Sequence, residues 1–298
     1  MSASEVTHSP LGRGCYTRSF DGGPFGIGDY ECHTGRAAKG EIQTGSTYEI
    51  VFVRRGVFVV EAAKQTFAFS SSHVLLLEPW RRYSVQHPLD GGDDCTVVTI
   101  DPHVLDEYPG GLGRQFASAA GFFPRQQLPI GGKCFLIQEK MRSAIRNGGV
   151  EQLAVGELFC DLLDEIVAGL SAFSPDPSTY DRHPEIIRRV QELVAAHYAS
   201  ALSLGEIGAH VGLSKYHLAR VFRRVTGCSI HQFQLNIRLR AALQRLVNGE
   251  QDLTTLALDL GFVDHSHFAN AFHRQFGVPP SRARQELARS PRQPGTVS

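Results

Sequence analysis

Leu204-Gly-Glu-Ile-Gly-Ala-His-Val-Gly-Leu-Ser214 and Leu253-Thr-Thr-Leu-Ala-Leu-Asp-Leu-Gly-Phe-Val263 are two versions of one pattern. Ile207, Val211, Gly212 and Leu213 fall on Leu256, Leu260, Gly261 and Phe262 at an offset of 49 residues. Past the turn the offset becomes 50, and Leu218, Phe222 and Gly227 fall on Phe268, Phe272 and Gly277. One extra residue in the second turn accounts for the change. Self-similarity at a period of about fifty residues marks a repeated supersecondary unit. Here the unit is helix, glycine-containing turn, helix, and the rest of the chain is read as positioning or controlling it.

In the first unit, Ser203 is the expected N-cap of a helix from Leu204 to His210, with Glu206 as the other half of a capping box. Gly212 supplies the turn, and Ser214 caps a second helix from Lys215 to Thr226. Leu218, Val221, Phe222 and Val225 form its buried face. A duplex major groove admits one α-helix, held by a second helix crossing behind it. Ser214, Lys215, Tyr216, Ala219 and Arg220 lie at the start of the second helix, so they are candidates for base contact. Arg223 and Arg224 lie further along, where phosphates pass. In the second unit Phe268, Phe272 and Phe276 mark the buried face. Asp264, His265, Ser266, His267 and Asn270 stand at its exposed start, with His273 and Arg274 beyond. Asn270 matches Arg220 at the repeat offset; Arg pairs with guanine and Asn with adenine. For any one of these residues an ordinary solvated helix face is an equal alternative. Their gathering on both helix starts favours DNA contact.

The composition allows this reading. At 298 residues, the chain has room for two domains with separate cores. It holds no run of 18 apolar residues, which argues against a membrane span. The first residues, Met1-Ser-Ala-Ser-Glu-Val-Thr-His8, lack the basic segment and apolar core of a secretory signal. Six scattered cysteines without a CxxC pair suggest reduced thiols, and the expectation is a soluble cytoplasmic protein. Zero net charge hides an asymmetry. Residues 183–298 carry 14 Lys+Arg against 8 Asp+Glu, whereas residues 1–182 carry 16 against 22. A basic half joined to an acidic half suits a nucleic-acid-binding module attached to a module of another kind. The boundary falls in Phe173-Ser-Pro-Asp-Pro-Ser-Thr-Tyr-Asp-Arg-His-Pro184, whose prolines predict a linker over residues 173–184.

The first half opens with strands. Glu49–Arg55, Val57–Glu61, Thr66–Phe69, Val74–Leu77, Arg82–Gln86 and Cys95–Ile100 are rich in β-branched and aromatic residues. Arg54-Arg55-Gly56 reads as a turn, and residues 88–94 as another. Such spacing predicts a small antiparallel barrel or sandwich. From Pro102 the pattern turns helical, with amphipathic helices over 132–147 and 150–170 broken at Gly148-Gly149. An apolar stripe does not name the surface it meets. Packing on the barrel and pairing with a second copy of the chain are equally open.

The second half resembles the AraC/XylS family of bacterial transcription regulators, over about Pro184 to Arg284. The residues that carry the resemblance are Leu213-Ser-Lys-Tyr-His-Leu-Ala-Arg-Val-Phe222, Thr226-Gly227, Arg238-Leu-Arg-Ala-Ala242, Gly261-Phe262, His267-Phe268, Phe272, Phe276-Gly-Val-Pro279 and Arg284. Ser229 to Val247 resembles the family's joining helix. Three positions depart from the pattern. Gly208 stands where Ala is usual, at about 1 kcal/mol of helix propensity. Ala283 replaces an aromatic residue before Arg284, and Ala219 is shorter than the polar residue often found there. The resemblance implies an α+β multidomain chain. It would comprise a cupin-like β barrel over 1–125, a helical packing or dimerisation segment over 126–172, and an all-α double helix-turn-helix domain over 185–298. It also implies double-stranded DNA and RNA polymerase as partners, a small-molecule effector, a homodimer, no cofactor and no enzymatic activity. Two recognition helices per chain would enter successive major-groove faces, about 34 Å apart if they follow one helical turn.

Two other readings stand beside this one. The His-x-His pair and following Glu of enzymatic cupins are absent around Gly56 to His87, which sets low the case for a cupin metalloenzyme fused to a DNA module. Cys32, His33, His87 and Cys95 carry metal-ligating or redox-active groups. A lone cysteine in a β domain is more often a small buried hydrophobe, so metal or thiol sensing is the minor expectation.

Overall fold

The computed structural model describes residues 6–8, 14–33, 40, 42–62, 65–87, 92–107, 123, 126–146, 152–172, 184–226 and 228–288. Most of the expected linker lies outside them, as do Gly148-Gly149, Gly227 and residues 88–91 of the turn expected over 88–94, whose Asp93 and Asp94 instead begin a strand. Packing groups the chain into two compact units, residues 1–129 with 170–237 and residues 130–169 with 238–298.

Among the described residues the first unit holds eleven strands in two antiparallel sheets: β1 (Val6–His8), β2 (Cys15–Asp21), β3 (Phe25–Cys32), β4 (Ile42–Gln43), β5 (Tyr48–Gly56), β6 (Phe58–Ala62), β7 (Gln65–Phe69), β8 (His73–Leu77), β9 (Tyr83–Gln86), β10 (Asp93–Ile100) and β11 (Gln127–Pro129). A seven-stranded sheet runs β1-β2-β3-β10-β5-β8-β11, and a four-stranded sheet runs β4-β9-β6-β7. The two sheets share one core, in which Val51, Val53, Leu75, Leu77 and Val97 of the first meet Phe58, Val60, Phe69, Tyr83 and Val85 of the second. The expected barrel is therefore an open pair of facing sheets. Along β5 the alternate residues Ile50 and Phe52 are also buried, so this strand reads as a continuous apolar run.

Two details differ from the sequence reading. Arg54 and Arg55 belong to β5, and the chain turns after them at Gly56. Carboxylates on the adjacent β10 and, one strand further, on β3 hold both arginines there. Arg55 Nε and Nη2 reach Asp94 at 2.7 and 3.0 Å, and Arg54 Nη2 reaches Asp29 at 3.1 Å. Strand β3 was hidden by Gly26 and Gly28. The Tyr16 ring of β2 lies over Gly28 so closely that a Cβ there would come within 2.4 Å of it.

A short helix, α1 (Pro102–Glu107), follows β10. The expected amphipathic helices are α2 (Gly132–Arg146) and α3 (Gln152–Ala172). The C-terminal half supplies α4 (Pro184–Ala196), α5 (Leu204–Val211), α6 (Lys215–Thr226), α7 (Ile230–Val247), α8 (Leu253–Asp259), α9 (His265–Phe276) and α10 (Pro280–Ala288). The long helix α7 is divided between the two units after Ile237. Among the described residues no helix is long and apolar enough to cross a membrane.

The second unit settles which surface α2 meets. It packs against α9 and α10, and several of its polar side chains find partners in that unit. Gln244 of α7 donates to Glu139, Ser143 Oγ donates to the Leu287 carbonyl, and Lys140 Nζ pairs with Glu286 at 2.9 Å. Arg240, fully buried, donates to the Ile130 carbonyl at 2.7 Å and lies 5.0 Å from the Phe135 ring. Helix α2 thus buries Gln138, Glu139, Arg142 and Ser143 as well as its apolar stripe. A helix resting on a purely apolar sheet would expose such residues.

Candidate nucleic-acid interface

The first helix-turn-helix is built by its caps. Ser203 Oγ accepts from the Glu206 amide at 3.2 Å, and Glu206 Oε2 accepts from the Ser203 amide at 2.9 Å, which completes the capping box. The Ser203 amide, and after it the Ser203 hydroxyl, stabilise the Glu206 carboxylate and hold it below its ordinary value. Helix α5 ends at Gly212, whose φ of 73° is in the left-handed region that glycine enters without steric cost. The Gly212 amide donates to the Ala209 carbonyl, and the Leu213 amide to the Gly208 carbonyl. The next helix then starts on Ser214, whose Oγ accepts from the His217 amide at 3.3 Å.

The second unit repeats these bonds. Gly261, with φ of 80°, donates to Leu258 while Phe262 donates to Ala257, the same two bonds displaced by 49 residues. Asp252 caps α8 through the amides of Thr254 and Thr255, and Asp264 caps α9 by accepting from the His267 amide at 2.7 Å. Arg238 of α7 braces this second turn. It donates to the Gly261 carbonyl at 2.7 Å and lies 6.0 Å from the Phe262 ring.

Burial fixes which face each recognition helix offers. In α6, Leu218, Val221, Phe222 and Val225 join a core with Ile187, Val190, Val194, Ile207, Val211 and Phe233. In α9, Phe268, Phe272 and Phe276 touch in sequence, the first pair edge to face and the second tilted, with ring centroids 5.7 and 4.5 Å apart. Ser214, Lys215, Tyr216, Arg220, Arg223 and Arg224 are all exposed on the first unit. His265, Ser266, His267, Asn270 and Arg274 are exposed at the matching places on the second. Lys215 Nζ sits 5.1 Å from the Tyr216 ring centre, so the cation and the aromatic side chain form one contact group at the helix start.

Two features of this face were missed from the sequence. His217 is exposed at the offset partner of His267, and that pairing was the available signal. Val263, at the tip of the second turn, is 79% exposed. An apolar residue reads as core by type, yet a thymine methyl is met by such a side chain. Asp264, named from the sequence at the exposed start of this helix, occupies the matching place to Ser214, and its carboxylate is engaged as a cap.

The four cysteine and histidine candidates of the β sheets separate. Cys32 and His87 are brought together with Asp93, all three buried, with their ligating atoms within 4.8 Å of one another. Cys95, also buried, donates to Asp93 Oδ2 at 3.0 Å. His33 is not part of this group. It is exposed and lies 3.8 Å from Glu31, because successive strand residues point to opposite faces.

A family model described as a helix-turn-helix domain matches residues 207–286. The regulatory protein SoxS of Salmonella typhimurium is 31% identical over 105 residues, covering 35% of this chain and 98% of that protein. The HTH-type transcriptional regulator ExsA of Pseudomonas aeruginosa is 29% identical over 250 residues, 80% of this chain and 77% of ExsA. The Msm operon regulatory protein of Streptococcus mutans is 28% identical over 141 residues, 46% of this chain and 49% of that one.

Proposed function

The chain belongs to the AraC/XylS family of DNA-binding transcription regulators, and on that premise we propose how it reads its operator. Lys215, Tyr216 and Arg220 of α6 read base edges, assisted by His217, while Ser214 orients the helix start. Arg223 and Arg224 grip the phosphates. In α9, His265, Ser266, His267 and Asn270 read bases, and Arg274 meets a phosphate. The observation that carries this reading is the shared exposure pattern of α6 and α9. At an offset of 50 residues both bury the same apolar positions and leave polar side chains on the same outward stripe.

The remaining assignments follow from the family. Residues 185–298 bind DNA, residues 1–125 receive a signal, and the protein acts in the cytoplasm as a homodimer that contacts RNA polymerase. A small-molecule effector is supported by one buried polar atom on the core side of the sheets. Glu49 Oε2 has no hydrogen-bond partner among the described residues, and a bound ligand would satisfy it.

Arg220 and Arg224 test the assignment. After selection of a binding site from random duplexes, Arg220→Ala is expected to lose about 1–3 kcal/mol of discrimination at one or two base pairs. Arg224→Ala is expected to weaken all sequences alike and to reduce the salt slope by about 0.9. Equal losses for both variants on selected and random DNA would remove Arg220 from the base-reading set.

A further inference from the structure

Cys32 ends β3, His87 follows β9 and Asp93 begins β10. Cys32 and Asp93 face one another directly in the β3–β10 register, and His87 reaches them from the end of a strand in the other sheet. The three are 0, 6 and 1% exposed. His87 Nε2 contacts Asp93 Oδ1, and Cys95 Sγ holds the other carboxylate oxygen at 3.0 Å. A thiol, an imidazole and a carboxylate thus converge beside a largely apolar and aromatic core.

We propose that Cys32, His87 and Asp93 form a binding site for one divalent transition ion of the zinc class, with Cys95 positioning the carboxylate. Thiolate and imidazole together favour a borderline or soft ion over magnesium or calcium. Ligands at about 2.0–2.3 Å from a common ion lie about 3–4 Å apart, so the observed separation of up to 4.8 Å closes with small side-chain rotations. Three protein ligands leave one position of a tetrahedral ion for water or a further group. Because the ligands come from both sheets, the ion would pin one sheet to the other at this end of the core. The competing arrangement is a His–Asp–Cys hydrogen-bond network satisfied within itself, which needs no ion.

The site is tested on the full chain stripped by a chelator and titrated with cobalt(II), without reference to DNA. The expected result is one equivalent per chain, a near-ultraviolet thiolate-to-cobalt band, displacement by zinc, and a higher melting temperature of the β sheets in zinc. Cys32→Ser should abolish the band and His87→Gln should weaken uptake about tenfold or more. Cys160→Ser, at an exposed thiol of helix α3, should change neither. Absence of the band in the folded wild-type protein overturns the proposal, and so does its persistence in C32S. Should C32S fail to fold, the wild-type titration and H87Q decide alone, and undiminished uptake by H87Q is then the overturning result.

Discussion

Glu49 offers a test of the β core in which the sign of a pH effect is diagnostic. It is 3% exposed on the same strand face as Val51 and Val53, and burial raises its carboxyl to about 7 from the ordinary 4.5. Between these values the folded state holds a proton that the unfolded chain has released. Stability therefore falls as pH rises from about 4.5 to 7 and is level above that. The shift corresponds to a loss of about 3 kcal/mol across the window. Glu49→Gln keeps the shape and cannot ionise, so it lacks this slope. Its amide brings two donors that cost about 1–3 kcal/mol if unmatched, but that penalty is the same at every pH. The quantity to measure is thus the variant-minus-wild-type stability at pH 8 less the same difference at pH 4.5. A chain of two units need not unfold in one step. The urea transition should be followed by near-ultraviolet circular dichroism of Tyr16, Tyr30 and Tyr83, which lie in this core. A gain of about 3 kcal/mol in the variant at the higher pH is expected. A difference that does not change with pH would show that Glu49 is ionised in the folded protein and would refute the reasoning.

Two glycines of α5 should respond in opposite directions. A Cβ on Gly205 would meet only Ser203 Oγ, at 3.8 Å, so Gly205→Ala should stabilise the first helix-turn-helix by up to about 1 kcal/mol. A Cβ on Gly208 would come within 2.6 Å of the Leu213 carbonyl. Gly208→Ala should therefore lower the melting temperature despite alanine's better helix propensity, and a rise like that of G205A would contradict the close approach. Arg238→Met removes the donor to the Gly261 carbonyl and should cost about 1–3 kcal/mol. Amide exchange should quicken across α8 and α9 and stay unchanged in α5 and α6.

The double helix-turn-helix was legible because its information is local. Caps at Ser203 and Ser214, left-handed glycines at 212 and 261, and phenylalanines at 268, 272 and 276 each fix structure within one or two helical turns. The exposed face followed as the complement of the buried one. Three things were illegible because they depend on pairings distant in sequence. Strand β3 is stabilised by the Tyr16 ring over Gly28, and glycine read alone signals a turn. The polar residues of α2 look like a solvated stripe until Leu287, Gln244 and Glu286 are placed beside them. Cys32, His87 and Asp93 meet only through strand register, and adjacency in sequence suggested His33 in place of Asp93.

The two recognition helices share a frame and differ in charge. Helix α6 exposes Lys215, Arg220, Arg223 and Arg224, whereas α9 exposes Arg274 as its fixed cation and begins on the Asp264 carboxylate. A helix N-terminus attracts anions through its free amides and its dipole. At α9 the Asp264 side chain already takes one of those amides and adds a negative charge where a phosphate would approach. At α6 the cap is the neutral Ser214, with Lys215 beside it. Sequence-independent attraction should therefore come mainly from the first unit, and truncating its arginines should flatten the salt dependence more than truncating Arg274. The His, Ser and Asn side chains of α9 hydrogen-bond bases without adding fixed charge. Truncating Asn270 should thus change sequence preference with little effect on the salt slope. A variant of Asn270 that weakens random and selected duplexes alike, with a reduced slope, would show that the second helix grips the backbone instead of reading bases.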